Sequence, residues 1–148
     1  IDMVLIHYIT YPDYVERHKR VRDELAELRE KGIVKAVGAS FHHYYGLHRA
    51  AQDPWVDVIF ARINHLGGFE WKMDGPTNMV ADTLKLARKN GKAVVGMKIF
   101  AEGKMVKNSD QMNKSLQYVL KNDLVDAMTI GMETAEQIDD NFARIEKV

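Results

Sequence analysis

No cysteine occurs in the 148 residues. That removes disulfides, thiolate zinc sites and thiolate-held iron-sulfur clusters from this segment. Charge of one sign is not in excess either: 21 Lys and Arg balance 21 Asp and Glu, so no global field recruits nucleic acid or an anionic membrane, and neither is expected as a partner. No apolar run reaches the ~18 to 20 residues that span a bilayer, and no signal peptide is visible. A cytoplasmic location is the expectation. The glycine fingerprint G-x-G-x-x-G and the metal spacing H-E-x-x-H are both absent.

What is there reads as a globular α/β pattern. Five short apolar runs, Met3 to Ile6, Ile33 to Ser40, Val56 to Ile63, Ala93 to Phe100 and Asp126 to Met132, have the continuity of strands covered on both faces. Between them, apolar residues recur at helical spacing: Val21, Leu25 and Leu28; Val80, Leu84 and Ala87; Met112, Leu116 and Val119; Ile138, Phe142 and Ile145. Each stripe is expected to face a sheet. Gly32 and Gly91 stand where left-handed caps end helices, and Asp110 and Thr134 lie where helices start. The stretch "FHHYYGLHRAAQD" predicts a short helix despite Gly46.

Strands recurring about every 30 residues with a helix between them describe βαβ units. The missing glycine fingerprint disfavours a dinucleotide-binding open sheet. A (β/α)8 barrel takes about 250 residues and eight strands, so residues 1–148 are expected to form one domain: the last five strand-helix units of such a barrel. On that expectation the opening run "IDMVLIHYI" is an interior strand, and the N-terminal part of the same barrel is its partner.

Barrel active sites are built at the carboxyl ends of strands. His7 ends the first strand. Ser40, His42 and His43 follow the second, Arg62, Asn64 and His65 the third, Lys98 and Glu102 the fourth, and Glu133 the fifth. Because Met3 to Ile6 drives its backbone into the core, His7 is expected to be half-buried with hydrogen-bond partners. Val4, Ile6, Val37, Val94 and Met128 are expected on the inner face of the barrel.

"IDMVLIHYI" with "ELREKGIVKAVGASFHH" resembles the aldo-keto reductase family, whose fourth strand and following helix-strand unit carry similar motifs in this order. The likeness continues through "GKAVVGMKIFAEG", in which a Met-Lys pair is similar to a bacterial branch of the family, and through "TIGMETAEQIDDNF". The resemblance implies hydride transfer between NAD or NADP and a small-molecule carbonyl. It also implies that His7 binds the carbonyl oxygen, with the family's aspartate, tyrosine and lysine on earlier strands. Ser40 matches the serine at the nicotinamide amide. Gln137, Asp140 and Asn141 match positions beside the adenine, and Ala101 to Lys104, with Gly103 among them, match the loop over the pyrophosphate. Phe41, Phe60 and Met97 depart from the family's asparagine, glutamine and tyrosine at those positions. Trp71 and Phe69, in the long loop "NHLGGFEWKMDGPTNM", are substrate-pocket candidates.

Glu133 and Gln137 near the last strand, with no base in "GMETAEQ", favour a ribose hydroxyl over a 2'-phosphate and hence NAD. Two rival readings remain open. A metal-dependent barrel hydrolase would draw on His7, His42, His43, His65 and Glu102. A non-catalytic nucleotide-binding barrel module would keep the cofactor contacts alone.

Overall fold

The computed structural model describes residues 1–148. Five strands form: β1 (Met3–Ile9), β2 (Ala36–Phe41), β3 (Val58–Arg62), β4 (Ala93–Met97) and β5 (Ala127–Met128). Between and after them lie α1 (Tyr14–Arg17), α2 (Lys19–Glu30), α3 (Tyr44–Ala50), α4 (Thr77–Lys89), α5 (Ser109–Lys121) and α6 (Ala135–Ile145). Every strand pairs in parallel with its successor, giving the order β1-β2-β3-β4-β5. With right-handed crossovers, that order puts all connecting helices on one face. A doubly wound sheet reverses its order partway, and this one does not. The fold is α/β, five strand-helix units of a (β/α)8 barrel.

Strand bounds differ from expectation mainly at the carboxyl ends. Lys98 takes a left-handed φ of 57°, which stops β4 at Met97. Only two residues of the fifth run pair, Ala127 and Met128.

The core lies between sheet and helices. Val37, Ala39, Phe41, Ile59, Ala61, Ile63 and Val94 are fully buried and cluster with Leu47, Val80, Leu84, Ala87, Leu116 and Val119 from the helices. Burial of each such aliphatic side chain is worth about 1.5–3 kcal/mol. Alternation then puts Met3, Leu5, His7, Ser40, Phe60, Arg62, Val95 and Met97 on the other, helix-free face. This corrects the expected assignment of Val4, Ile6, Val37, Val94 and Met128 to the inner face: they share the helix side. Runs that are apolar at every position carry no period to say which set faces the helices. At Gly38 neighbouring backbones approach so closely that a Cβ would meet the Val58 carbonyl oxygen at 1.9 Å.

Two helix stripes hold in full and two in part, with Leu25, Leu28 and Ile145 packed against the core. Helices α4 and α5 bury Val80, Leu84, Ala87, Leu116 and Val119 as expected. In α2 the inward residue is Arg22, and Val21 is exposed. Arg22 makes a two-pronged bond to Asp53 (2.7 and 3.1 Å), which also accepts from the Tyr14 hydroxyl at 2.7 Å. A buried guanidinium with a fitting carboxylate outweighs one valine's preference. Burial raises the Tyr14 hydroxyl pKa, and the hydrogen bond to Asp53 adds to it. In α6, Ile138 and Phe142 are exposed because two-residue β5 offers little sheet to cover.

Gly32 and Gly91 take φ values of 69° and 77° after α2 and α4, as the caps require. Thr134 caps α6, accepting from the Gln137 N–H at 3.3 Å. Asn108 caps α5, and Asp110 lies inside its first turn.

Candidate functional site

The site begins with an irregularity in β1. Ile6 pairs with Ala39 and the next pair is Ile9 with Phe41, so His7 and Tyr8 together oppose the single residue Ser40. This is a β-bulge, which bends a strand and re-aims its side chains. Tyr8 has φ 64°, an uncommon conformation for an aromatic residue. Its N–H donates to Ser40 Oγ at 2.8 Å, and Ser40 Oγ lies 3.0 Å from His7 Nδ1. Ser40 is only 3% exposed. His7 itself is exposed, which corrects the half-buried expectation: its face carries no helices. Its ring centroid lies 6.0 Å from that of Tyr8 and 6.5 Å from that of His42, and the Tyr8 and His42 rings are 4.5 Å apart.

Farther along the same rim, the ends of β4 and β5 open into a cleft of about 740 Å³. Met97, Lys98, Phe100, Glu102 and Gly103 form one wall; Thr129 to Glu133 and Gln137 form the other. A second cleft of about 350 Å³ shares Phe100, Val106, Gly131 and Gln137 with it and reaches Lys107, Asp140, Asn141 and Arg144. Asn141 is 6% exposed, and its Oδ1 is buried without a hydrogen-bond partner. A buried acceptor left unpaired is costly and marks a place where a donor is wanted.

Glu102 bridges Lys72 (2.8 Å) and Lys98 (2.9 Å), joining the loop after β3 to the loop after β4. The hydrogen bonds from Lys72 and Lys98 hold its carboxyl down at about 2. Fully buried Asn64 orders the long loop: its amide donates to Trp71 O at 2.7 Å, and its Oδ1 accepts from the N–H groups of Leu66 and Gly67. Buried Asp74 in that loop pairs with Arg62 from the end of β3.

Of the expected site residues, the structure gathers Gly103, Glu133, Gln137, Asp140 and Asn141 around the two clefts, and His7 with Ser40 at the bulge. Others it does not bring in. Ala101 is fully buried in the core, and Lys104 turns away to donate to Glu70 O at 2.6 Å, 5.9 Å from the Trp71 ring. Neither Phe69 nor Trp71 lines either cleft: Phe69 is 77% exposed, and half-buried Trp71 packs against the core. The rim histidines and Glu102 do not converge: no three His, Asp or Glu side chains stand close enough to share a metal ion. The hydrolase reading thereby loses its ligand set. Burial, with Arg62 adding to it, lowers the His42 pKa; burial lowers that of His65, which hydrogen-bonds Gln111 at 2.6 Å. Sequence reasoning missed Tyr8 and Asp74. The bulge that exposes Tyr8 is a register effect invisible in one strand, and Asp74 gains meaning only when its loop folds back on Arg62.

A singly wound parallel sheet with its polar residues and clefts at the carboxyl ends of the strands defines a site of the (β/α)8-barrel class. More narrowly, residues 1–116 match the model of the Aldo/keto reductase family, and the chain belongs to that family. Solved structures agree on the fold. A Pseudomonas aeruginosa protein of aldo-keto reductase type is similar at TM-score 0.77 and 20% identity, over 99% of this chain and 52% of its own. The holo aldo-keto reductase of Bacillus halodurans is similar at TM-score 0.69 and 18% identity, over 99% and 55%. The aldose reductase of Schistosoma japonicum is similar at 0.59 and 14%, over 99% and 53%. The chain thus spans about half the length of the structures it matches. Among curated proteins, none matches it by sequence.

Proposed function

We propose that the whole protein is an NAD(P)-dependent oxidoreductase that reduces a small aldehyde or ketone to an alcohol, and that residues 1–148 are the C-terminal portion of its barrel, carrying the Met-Lys pair of a bacterial branch. The observation that carries this is the paired cleft at the ends of β4 and β5, with the unpartnered Asn141 Oδ1 in its wall. A nicotinamide dinucleotide, when bound, supplies the hydride. The residues fit such a group: Asn141 Oδ1 would accept from an exocyclic amine, Gln137 and Asp140 stand beside it, and the larger cleft has room for the rest.

His7 performs the step that this chain can support. Hydride arriving at carbon leaves negative charge on oxygen, and a fixed N–H donor stabilises it. With Nδ1 engaged by Ser40, the other ring nitrogen is free to donate toward the helix-free face. Protonation of the alkoxide then needs an acid, which the family resemblance places on an earlier strand.

NAD is the preferred cofactor in this reading. Arg144 is a base beside the adenine-side cleft, yet it is already spent on Asp140 (2.7 Å), Ser109 Oγ (2.7 Å) and Asn113 (2.7 Å). Lys107 is the remaining cation in that wall. The test follows cofactor consumption by the whole protein with a panel of aldehydes and ketones, and titrates NADH against NADPH. Turnover that falls by ~10²–10⁴ in His7→Ala, with cofactor binding retained, is expected. Absence of both cofactor binding and turnover would overturn the reading, and tighter binding of NADPH would overturn the preference.

A further inference from the structure

We propose that Ser40 is a positioning residue that fixes the neutral His7 ring in the tautomer with its hydrogen on Nε2. This rests on the reductase reading and gives Ser40 a task beyond the nicotinamide contact implied by resemblance. The argument is a count of hydrogens. Ser40 Oγ has one hydrogen to give and two lone pairs. One lone pair accepts the Tyr8 N–H at 2.8 Å, a bond that exists because the bulge and the φ of 64° swing that N–H onto the hydroxyl. The hydroxyl is buried, and the only acceptor within reach of its hydrogen is His7 Nδ1 at 3.0 Å. Leaving that hydrogen without an acceptor costs more than donating it. Nδ1 therefore accepts, and a neutral imidazole that accepts at Nδ1 carries its hydrogen at Nε2.

Alternation along β1 already sets His7 on the open face; the extra residue supplies the N–H that commits Ser40 to being a donor toward the ring. The second lone pair of Ser40 stays available to a ligand amide, so the two roles do not compete.

The experiment uses the whole protein with nitrogen-15 in its histidines. Nitrogen shifts of the unliganded wild type report the His7 tautomer directly, and the Nε2–H form is expected. In Ser40→Ala the two tautomers mix, and kcat at saturating cofactor falls about tenfold, less than the ~10²–10⁴ of losing a proton donor outright, a loss read separately from the weaker cofactor Kd that removal of the amide contact brings. Ser40→Thr keeps the hydroxyl and restores both readouts. A wild-type ring in the Nδ1–H form overturns the proposal whether or not the alanine variant folds. So does a Ser40→Ala protein that loses cofactor affinity alone, with tautomer and kcat unchanged. Failure of the reductase reading looks different: the wild type would reduce no carbonyl, while the nitrogen shifts would still answer for the tautomer.

Discussion

Asn141 and Glu102 show how single side chains at this rim are held in opposite ways. Asn141 is buried with its acceptor oxygen unpaired, so the free protein bears a cost that a bound donor relieves. Asn141→Leu keeps the branched shape of the side chain and removes the orphan. The free protein is then expected to be at least as stable in a denaturant titration, while cofactor binding weakens roughly tenfold, the loss of about one hydrogen bond. Weaker binding without the unchanged stability would mean that the residue is structural. Glu102 is over-satisfied instead, with Lys72 and Lys98 drawing its carboxyl to about 2 from an ordinary 4.5. A depressed carboxyl stabilises the fold above its unfolded value and loses that contribution as pH falls through the folded one. The bridge between the two loops is therefore intact from neutral pH to about 4.5 and opens as pH approaches 2. Lys72→Met is expected to move the Glu102 titration upward, read from its carboxyl carbon shift by NMR. Being on the surface, the pair adds little to global stability.

At the scale of elements, the opposite rim of the sheet repeats one device. Asp57, just before β3, accepts from the Val37 N–H at 2.9 Å and from Arg29 at 2.6 Å. Asp126, just before β5, accepts from the Val94 N–H at 2.7 Å and from Arg88 at 2.7 Å. In both cases an arginine in the last turn of one helix (α2, α4), the strand that follows that helix (β2, β4) and an aspartate at the foot of the neighbouring strand (β3, β5) are tied together. Removing the aspartate leaves a strand N–H and a guanidinium short of a partner. Asp126→Ala is expected to cost about 1–3 kcal/mol, measured as a lower midpoint in urea with unchanged slope. Cofactor affinity is expected to stay the same in the folded protein, because this rim is the one remote from the clefts. A drop in affinity with no drop in midpoint would contradict that division between a stabilising end and a functional end.

For the whole molecule, the sheet has two open edges, β1 and β5, and one face without helices. Met3 and Tyr8 on β1, and Met132, Ile138 and Phe142 beside β5, are exposed apolar side chains along these margins. Unpaired edges and uncovered apolar side chains favour association. Residues 1–148 expressed alone are expected to form oligomers and to show no carbonyl reduction above background. Mass in solution and a cofactor-linked assay test this, and a monomer with turnover would refute it.

Across the chain, element types and their order followed from sequence because they depend on local periodicity. Val80, Leu84 and Ala87 repeat at helical spacing, Ile59 to Ile63 does not, and turn residues such as Gly32 and Gly91 separate the two. His7 stood out for the same reason, as a polar residue closing an apolar run. Motif order carried the family as well. Which side of each strand faces the helices was beyond local reach, since a continuously apolar run looks alike from both faces. Arg22 displaced Val21 because its partner Asp53 lies 31 residues away. The bulge at His7 and Tyr8 exists only in the pairing of β1 with β2, and the orphaned oxygen of Asn141 only once α6 has packed. Sequence alone determined what is near in the chain and periodic; register, facing and the satisfaction of buried polar atoms depend on pairs distant in the chain, and tertiary structure decided them.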